Sequence, residues 1–508
     1  MKLSQLIKGM DIINLSADAT GDVSTLCYAA DKCENSSMFV AVRGLAHDGH
    51  DFIADAVNRG ARYIVHEKDI QIPSGVIAIK VMSSRRALGV LAKNYFGDPS
   101  ARLCLVGVTG TNGKTTTTYI LESILAQAGF KCGVLGTVNY RYNNKIYPAP
   151  NTTPESYEMQ KILRTMADEG VTHVIAEVSS HAIDLKRVDD CDFDLGVFTN
   201  LTHEHLDYHL TMENYFQAKK RFFAEVLPQS KKAHPQKMII NSDDKWGQII
   251  LKDVALPALT YGVEKNNAVK AASYELSLSG IKANINLVGE TISIQTSLVG
   301  KFNIYNILAA AAAAKALQIP KALIKSGIEN LSYVPGRLER IDSSFGFTVL
   351  IDYAHKPDAL KQVLQNLAEF KKKRIITVFG CGGNRDTGKR PLMGEAATFY
   401  SDLTIVTSDN PRLEDPLMII AAIEKGIDGN KIKKVDTNHL SAHRDAHCYT
   451  VIPDRRKAIE TAIMEAEPKD IVLIAGKGHE DYQILGTKKI SFDDRIVAAQ
   501  ALDLRRRK

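Results

Sequence analysis

No window of this sequence approaches the run of about 18 apolar residues that spans a bilayer. Its first residues, MKLSQLIKGMDII, lack the long apolar core and small-residue cleavage site of a secretory signal. A membrane or secreted protein is therefore not expected, and the chain is assigned to the cytoplasm. Cysteine is scarce and scattered: those at 27, 33, 104, 132, 191, 381 and 448 form no CxxC pair. That spacing argues against a disulfide framework and a zinc site, and it predicts buried free thiols. Excess charge is also small. Lys and Arg number 64 against 58 Asp and Glu, a formal +6 over 508 residues, so the balance points to neither nucleic acid nor membrane as a partner. The closing Arg505–Lys508 run reads as a solvated tail. No internal repeat stands out, and the one low-complexity stretch, the alanine run 309–314, reads as a closely packed helix.

What is present is a chain of 45% hydrophobic and 24% charged residues, long enough for about three domains. Residues 1–100 hold short β-like runs, SMFVAVRG and ARYIVHE, around the helical DFIADAVNRG, and end in the turn-forming NYFGDPS. From LCLVGV onward apolar strands alternate with helices. HVIAEVSS, FDLGVFTN and KMIINSDD each end in polar residues, followed by the alternating pattern of antiparallel strands over 272–300. After YVPGRLER a second alternating series, FTVLIDYAH, RIITVFGCGG, SDLTIVTSDN and KDIVLIAGKGHE, predicts another doubly wound sheet. The fold class is therefore α/β: a small N-terminal domain (1–100), a central domain with a mainly parallel sheet plus a small antiparallel one (101–334), and a Rossmann-like C-terminal domain (335–508). Ligands of such sheets gather at the carboxyl ends of strands, where the polar residues fall.

VGVTGTNGKTTTTY, 106–119, departs from the usual G-x-x-x-x-G-K-[ST] because Val108 stands where the first glycine belongs. Its context is nonetheless that of a phosphate loop: a strand, a turn of small residues, then a helix whose first residues are Lys-Thr. Backbone N–H groups of Gly110, Thr111, Asn112 and Gly113 and the positive helix end would face one anion. Lys114 would reach the terminal phosphates of ATP and the Thr115 hydroxyl would bind Mg2+, with Thr116 beside it.

The form G-x-x-G-T-N-G-K-T resembles the Mur ligases, the ATP-dependent enzymes that extend the peptide of the bacterial cell-wall precursor. Nine further stretches fall in the family's order: NTTPE, EVSSHAI, TNLTHEHLDYH, YFQAKKRFF, GKFNIYNILAA, PGRLE, DYAHKPDAL, GCGGNRDTGKRPLMG and DNPR, with AGKGHE after them. The order is that of the branch adding the third residue to UDP-MurNAc-L-Ala-D-Glu. The resemblance implies a ligase in which a substrate carboxylate attacks the γ-phosphate of ATP and an amine then attacks the acyl phosphate. It assigns residues 1–100 to the UDP-sugar, 101–334 to ATP and 335–508 to the amino acid.

The resemblance also implies roles. Glu177 and His205 become magnesium ligands alongside Thr115, although alone His205 reads as a hydrogen-bonded loop histidine. Lys219 becomes a CO2-derived carbamate holding a second Mg2+; without the resemblance Lys219 and Lys220 read as a solvated helix face, and Lys220 is the one-residue alternative. Lys114, Glu177, His205 and Lys219 form the catalytic set. Asn303 and Asn306 match residues near the adenine, and Arg337 and Asp352 match nucleotide contacts, with His355 and Lys356 assisting. Asp352 also reads as a helix cap before KPDAL. Asn151, Thr152, Thr153, Ser179 and Arg187 match the UDP-MurNAc-dipeptide site.

DNPR selects the amine. Relatives that use meso-diaminopimelate carry this arginine, and a guanidinium can grip the distal carboxylate that lysine lacks. Arg385, Asp409, Asn410, Pro411, Arg412, Gly476 and Glu480 therefore form the expected diaminopimelate site, with Glu480 receiving the distal ammonium. Two departures fall at the uridine end: Ala29, Ala30 and Asp31 replace the family's Asp-Ser-Arg, and Leu185 replaces a glutamine. Folylpolyglutamate synthase, a P-loop switch or motor, and an inactive nucleotide-binding scaffold are the competing readings. Small-molecule substrates, no nucleic acid, no membrane and a monomer are expected.

Overall fold

The structure is a computed structural model that describes residues 1–44, 47–71, 73–264 and 266–507. It divides into two compact units. The first comprises Met1–Ala271, Ile285–Ile292 and Tyr305–Ile328; the second comprises Ala272–Asn284, Ser293–Ile304 and Glu329–Lys508.

Within the first 100 residues, β1 (Ile12–Leu15), β2 (Leu26–Cys27), β3 (Ser37–Val40), β4 (Ala61–His66) and β5 (Ile77–Val81) form a sheet in the order β1-β5-β4-β3-β2. Only the edge strand β1 is antiparallel to its neighbour. The next strands are β6 (Cys104–Thr109), β7 (Cys132–Leu135), β8 (Tyr140–Tyr142), β9 (Lys145–Tyr147), β10 (His173–Glu177), β11 (Leu195–Phe198), β12 (Lys237–Asn241) and β13 (Ala258–Gly262). With β14 (Val269–Ser277), β15 (Gly280–Leu287) and β16 (Glu290–Thr296) they form an 11-stranded sheet ordered β16-β15-β14-β13-β12-β11-β6-β10-β7-β8-β9. The stretch from β14 through β7 is parallel. Strands β14 to β16 follow one another through two-residue turns, the connection that antiparallel neighbours permit. Strand β6 lies between β10 and β11, with the chain leaving it first to one side and later to the other. That is the switch point at which a parallel sheet opens a crevice at its carboxyl edge.

The last sheet contains β17 (Glu339–Ile341), β18 (Thr348–Asp352), β19 (Ile375–Phe379), β20 (Leu403–Val406), β21 (Lys433–Lys434), β22 (Cys448–Val451) and β23 (Ile471–Ala475), in the order β17-β18-β23-β19-β20-β22-β21. All but the edge strand β17 run parallel. Alternate residues feed two cores. Leu350, Leu473 and Phe379 pack on one face, while Val349, Ile351, Val472 and Ile474 pack on the other. This is why these strands read as continuous apolar runs. No described helix is long and apolar enough to cross a membrane.

Three expectations need correction. The run at Arg505 belongs to the helix Asp494–Arg507; Arg506 and Arg507 are exposed as expected, but Arg505 is half-buried. Arg505 lies over the rings of Phe345 and Phe347 at 5.0 and 4.9 Å and donates to Ala466 O at 2.6 Å. Lys508 lies outside the described residues. Asp352 is not a helix cap, since the helix Pro357–Ala368 starts at Lys356 without a side-chain cap. The cysteines are free, but Cys33, Cys104 and Cys132 are only half-buried.

Candidate active site

The phosphate loop follows β6 directly. Gly113, at φ +88°, ends the loop and opens the helix Lys114–Gln127. A Cβ there would stand 2.2 Å from Asn306 Oδ1, so glycine is needed for both the left-handed backbone and the close approach of Asn306. The TNLT segment after β11 holds the loop's shape. Asn200 O accepts from Thr111 N at 2.8 Å, Asn200 Oδ1 accepts from Asn112 N at 3.0 Å, and Thr199 Oγ1 donates to Asn112 O at 2.7 Å. Lys114 Nζ folds back to donate to Gly110 O and Thr111 O, both at 2.8 Å. Thr115 and Thr116 are buried in the first helical turn.

Lys219 and Lys220, alike in sequence, are separated by their surroundings. Lys219, on the helix Met212–Arg221, is 1% exposed; its Nζ donates to Gly110 O at 2.9 Å and lies 4.9 Å from the centre of the Tyr215 ring. The Tyr215 hydroxyl in turn lies 3.0 Å from Thr111 Oγ1. Burial, reinforced by the Lys114 charge, holds the Lys219 pKa well below the usual lysine range. Lys220 instead pairs with Asp253 Oδ2 at 2.6 Å. The helix fraction containing Lys219 faces the phosphate loop, so the solvated-face reading fails for that residue.

Glu177 ends β10 and is buried; its carboxylate accepts from Thr137 N at 3.1 Å and Thr137 Oγ1 at 2.8 Å. Thr137 Oγ1 lies 3.1 Å from Thr152 Oγ1, and Thr153 Oγ1 donates to Glu177 O at 2.7 Å. Ser179 N donates to Thr153 Oγ1 at 3.0 Å, while Arg187 Nη1 donates to Thr153 O at 3.3 Å. The residues expected for the sugar-nucleotide dipeptide thus share a hydrogen-bonded chain with Glu177. Asn151 is exposed, and its carbonyl accepts from the Tyr140 hydroxyl at 2.5 Å. Leu185 immediately follows the short helix Ser180–Asp184 that Ser179 caps. His205, half-buried at φ +57°, has its ring 4.9 Å from that of His181 and 5.8 Å from that of Tyr215. Among the described residues no group of three or more His, Cys, Asp or Glu is placed to hold a metal ion.

In the second unit four adjacent strands, β18, β23, β19 and β20, end in Asp352, Gly476, the GCGG turn and the DNPR loop. Asp352 is buried, and its two oxygens accept from Leu338 N and Ala354 N, both at 2.8 Å. Burial pushes its carboxyl pKa up, partly offset by Arg337. Arg337 stacks over Tyr353 at 4.8 Å, and His355 Nδ1 lies 2.8 Å from Tyr353 O. Asn303 is buried, and its amide donates to Val299 O at 2.8 Å.

The DNPR loop is tightly fixed. Gln483 donates to Asp409 O at 2.5 Å, Ile484 N donates to Asn410 Oδ1 at 2.9 Å, and Gly383 N donates to Asn410 O at 2.9 Å. Pro411 O lies so close to Gly383 that a Cβ there would stand 1.9 Å away. Arg412 adopts φ +54° and its Nη1 donates to Gly383 O at 2.8 Å. A Cβ on Gly382 would stand 3.0 Å from Arg412 Nη1 and 3.9 Å from Arg385 Cγ, so both arginines border that glycine; Arg385 is exposed. Glu480 Oε2 accepts from Asn410 Nδ2 at 2.9 Å and from Lys477 Nζ at 3.0 Å. Gly476, at φ +112°, passes beside Asp409, whose Oδ2 would be 3.2 Å from an added Cβ.

Sequence reasoning missed Lys477. It is fully buried, and its ammonium lies 3.7 Å from Asp409 Oδ1 and 3.5 Å from Asn410 Oδ1 as well as beside Glu480. Its place between Gly476 and Glu480 in AGKGHE was the available signal, because a lysine at the end of an otherwise apolar strand faces the strand's polar mouth.

The chain matches three family models: Mur ligase family, catalytic domain, over residues 23–96; Mur ligase middle domain over 108–314; and Mur ligase, glutamate ligase domain over 336–478. It is 45% identical over 501 residues to the UDP-N-acetylmuramoyl-L-alanyl-D-glutamate--2,6-diaminopimelate ligase of Geobacter metallireducens, covering 99% of this chain and 98% of that one. The protein of the same name from Geobacillus thermodenitrificans is 43% identical over 506 residues and the full length of both. A solved structure of a ligase of that name superposes with TM-score 0.70 at 30% identity, covering 100% of this chain and 99% of the other. MurF from Acinetobacter baumannii shares the fold, with TM-score 0.62 at 18% identity over 99% and 97% of the two chains. Sequence similarity along the whole length, family models over all three segments and a shared fold lead to one conclusion: the chain belongs to the Mur ligase family.

Proposed function

We propose that this protein is an ATP-dependent ligase that joins meso-2,6-diaminopimelate to UDP-MurNAc-L-Ala-D-Glu, in the synthesis of the peptidoglycan precursor. The observation that carries the amine assignment is the DNPR loop, where Arg412 stands in one small region with the carboxylates of Asp409 and Glu480. Diaminopimelate ends in a carboxylate and an ammonium on one carbon. Arg412 pairs with the first through two N–H donors, and Glu480 with Asp409 receives the second. L-Lysine would leave the guanidinium without its anion, a loss that a buried pairing site penalises heavily.

In the same reading residues 1–100 take the UDP-sugar, 101–334 take ATP and 335–508 take the amino acid. The phosphate loop, Gly110 to Thr116, cradles the ATP phosphates with its N–H groups, and Lys114 leaves its two loop carbonyls to neutralise the γ-phosphate as charge develops there. Asn306 lies against the loop at Gly113, and Asn303, Arg337 and Asp352 serve the nucleotide. Thr152, Thr153, Ser179 and Arg187, with Asn151 at the rim, orient the dipeptide so that its terminal carboxylate meets the γ-phosphate. The carboxylate oxygen displaces ADP and forms the acyl phosphate. The amine of diaminopimelate then attacks its carbonyl carbon, and phosphate leaves as the amide forms.

The donors available for Mg2+ fit that ion in chemical type: the Glu177 carboxylate and the Thr115 hydroxyl offer oxygen, with His205 as a nitrogen partner. A magnesium ion held by one or two protein oxygens keeps waters and substrate phosphates as its other ligands. When bound, Mg2+ neutralises phosphoryl charge and orients the transfer. Burial and the Lys114 charge lower the Lys219 pKa and so favour loss of its proton, and the neutral amine is the form that CO2 carbamylation requires.

The test is phosphate release from ATP and Mg2+ in the presence of UDP-MurNAc-L-Ala-D-Glu, comparing meso-diaminopimelate, L-lysine and no amine. Turnover with diaminopimelate alone, giving the tripeptide mass, is expected. Equal turnover with lysine would overturn the amine assignment, and amine-independent turnover would overturn the ligase.

A further inference from the structure

The two cysteines nearest the start of the chain are six positions apart, yet their side chains meet. Cys27 Sγ and Cys33 Sγ are 3.0 Å apart. The intervening segment makes this possible: the 3-10 turn Ala30–Lys32 returns the chain, with Lys32 N donating to Ala29 O and Cys33 N donating to Ala30 O, both at 3.1 Å. Cys27 is buried at the end of β2, where its thiol donates to Met38 O at 3.4 Å, whereas Cys33 is half-buried and therefore reachable. The two thiols differ in acidity as well as exposure. The contact with Cys33, together with burial, raises the Cys27 pKa, while the same contact lowers that of Cys33.

We propose that Cys27 and Cys33 are a disulfide-forming dithiol, a modification site that takes a small soluble disulfide as its oxidant and closes into an intramolecular bridge around Tyr28–Lys32. The Cys33 thiolate attacks one sulfur of the oxidant RSSR; a Cys33–SR bond forms and RS⁻ leaves. Cys27 then gives up its proton to solvent and attacks Cys33 Sγ, forming the protein disulfide and expelling the second RS⁻. The protein loses two electrons and two protons, and RSSR becomes two RSH. The contact geometry makes Cys27 the resolving thiol at hand, so the mixed disulfide does not accumulate.

The closed ring has a structural reach. Tyr28 lies inside it, and its hydroxyl donates to Glu158 Oε1 at 2.9 Å on the helix Ser156–Asp168, which starts just after Thr152 and Thr153. Glu158 Oε2 is buried and has no hydrogen-bond partner among the described residues, so this hydroxyl is the main polar hold on that carboxylate. Ala29, Ala30 and Asp31, which stand where the family carries Asp-Ser-Arg, lie in the same ring. Closing the bridge therefore acts on the sugar-nucleotide end of the molecule; this consequence, unlike the bridge itself, rests on the proposed function.

The test uses the reduced full-length chain incubated with oxidised glutathione, followed by alkylation, trypsin and mass analysis. The expected product has lost two hydrogens, carries no glutathione, reverts with dithiothreitol and yields a linked pair of peptides cut at Lys32. Cys27→Ser is expected to stop at a glutathione adduct on Cys33. A stable adduct on wild-type Cys33, a bridge between other cysteines, or no reaction at either position would overturn the proposal. Oxidation is also expected to change KM for UDP-MurNAc-L-Ala-D-Glu and not KM for diaminopimelate, an effect lost in Cys27→Ser; an unchanged KM with the bridge formed would overturn the link to the helix. If the reduced chain turns over no sugar-nucleotide dipeptide at all, the proposed function fails while the mass readout still decides the bridge.

Discussion

The phosphate loop and the DNPR loop both surround charge, but they are built in opposite ways. The phosphate loop is contiguous, Gly110 to Thr116, and its shape is set by backbone groups and by the neighbouring TNLT turn. The DNPR region draws on the ends of separate strands, and its charges already have partners within the protein: Lys477 sits on Glu480, and Arg412 holds a backbone carbonyl. The first kind of site depends on backbone conformation, so its weak point is steric. The second depends on a balance of buried charges, so its weak point is the removal of one partner, which leaves the other desolvated and unpaired.

Substitutions can break or sharpen this contrast. Lys114→Ala is expected to give the largest effect, on the order of 10²–10³-fold in kcat, because in the proposed reaction it removes a cation that acts on charge developed in the transition state. The melting temperature should stay close to that of the unsubstituted protein, which thermal unfolding with and without ADP would check. Arg412→Ala should lower kcat/KM for diaminopimelate on the order of 10²-fold, as expected for removing the charged partner of the substrate carboxylate in the proposed complex. KM for ATP should not change. Equal losses for both substrates in steady-state kinetics would mean that Arg412 supports the fold and does not contact the amine.

Gly113→Ala tests the steric side. It places a Cβ at φ +88° and 2.2 Å from Asn306 Oδ1, and strain of this kind costs about 1–3 kcal/mol. ATP affinity measured by calorimetry should fall, and Asn306→Ala in the same chain should recover part of the loss by removing the clash. Recovery would not be expected if the damage came from the backbone alone.

The last expected effect is on stability against pH, and it belongs to the second unit. Burial, assisted by Lys389, holds His355 down to a pKa of about 4; burial, assisted by Arg337, holds His479 down to about 3. Both imidazoles resist protonation in the folded state, so the unfolded chain takes up protons first as pH falls below the ordinary value of 6.5. Stability is therefore full above pH 6.5 and declines as pH drops from there toward 4. Urea unfolding across that range should show the decline, and His479→Gln should flatten it.

The ease of reading each region from the sequence follows the same contrast. Strand-loop-helix contexts at VGVTGTNGKT and the apolar runs of the last sheet were legible because local spacing and alternation encode them. The pairing of Lys477 with Glu480, Asp409 and Asn410 was not, because it depends on β23 lying between β18 and β19, an order that no local pattern prints. Arg505 misled for a related reason: it looks as solvated as Arg506 and Arg507 beside it until the rings of Phe345 and Phe347 are placed beneath it.

By itself the sequence determined the α/β alternation and the strand-loop-helix context of the phosphate loop, since these rest on periodicity and turn chemistry; the residues expected at each substrate came from the order of motifs shared with the Mur ligase family. Tertiary structure decided which of two adjacent lysines is buried against the phosphate loop, which lysine neutralises the Asp409 and Glu480 carboxylates, and that Cys27 and Cys33 touch. Each of these depends on the burial and proximity of residues brought together by folding. Burial changes the cost of a charge and proximity supplies its partner, and neither quantity is a property of a residue or its neighbours in the chain.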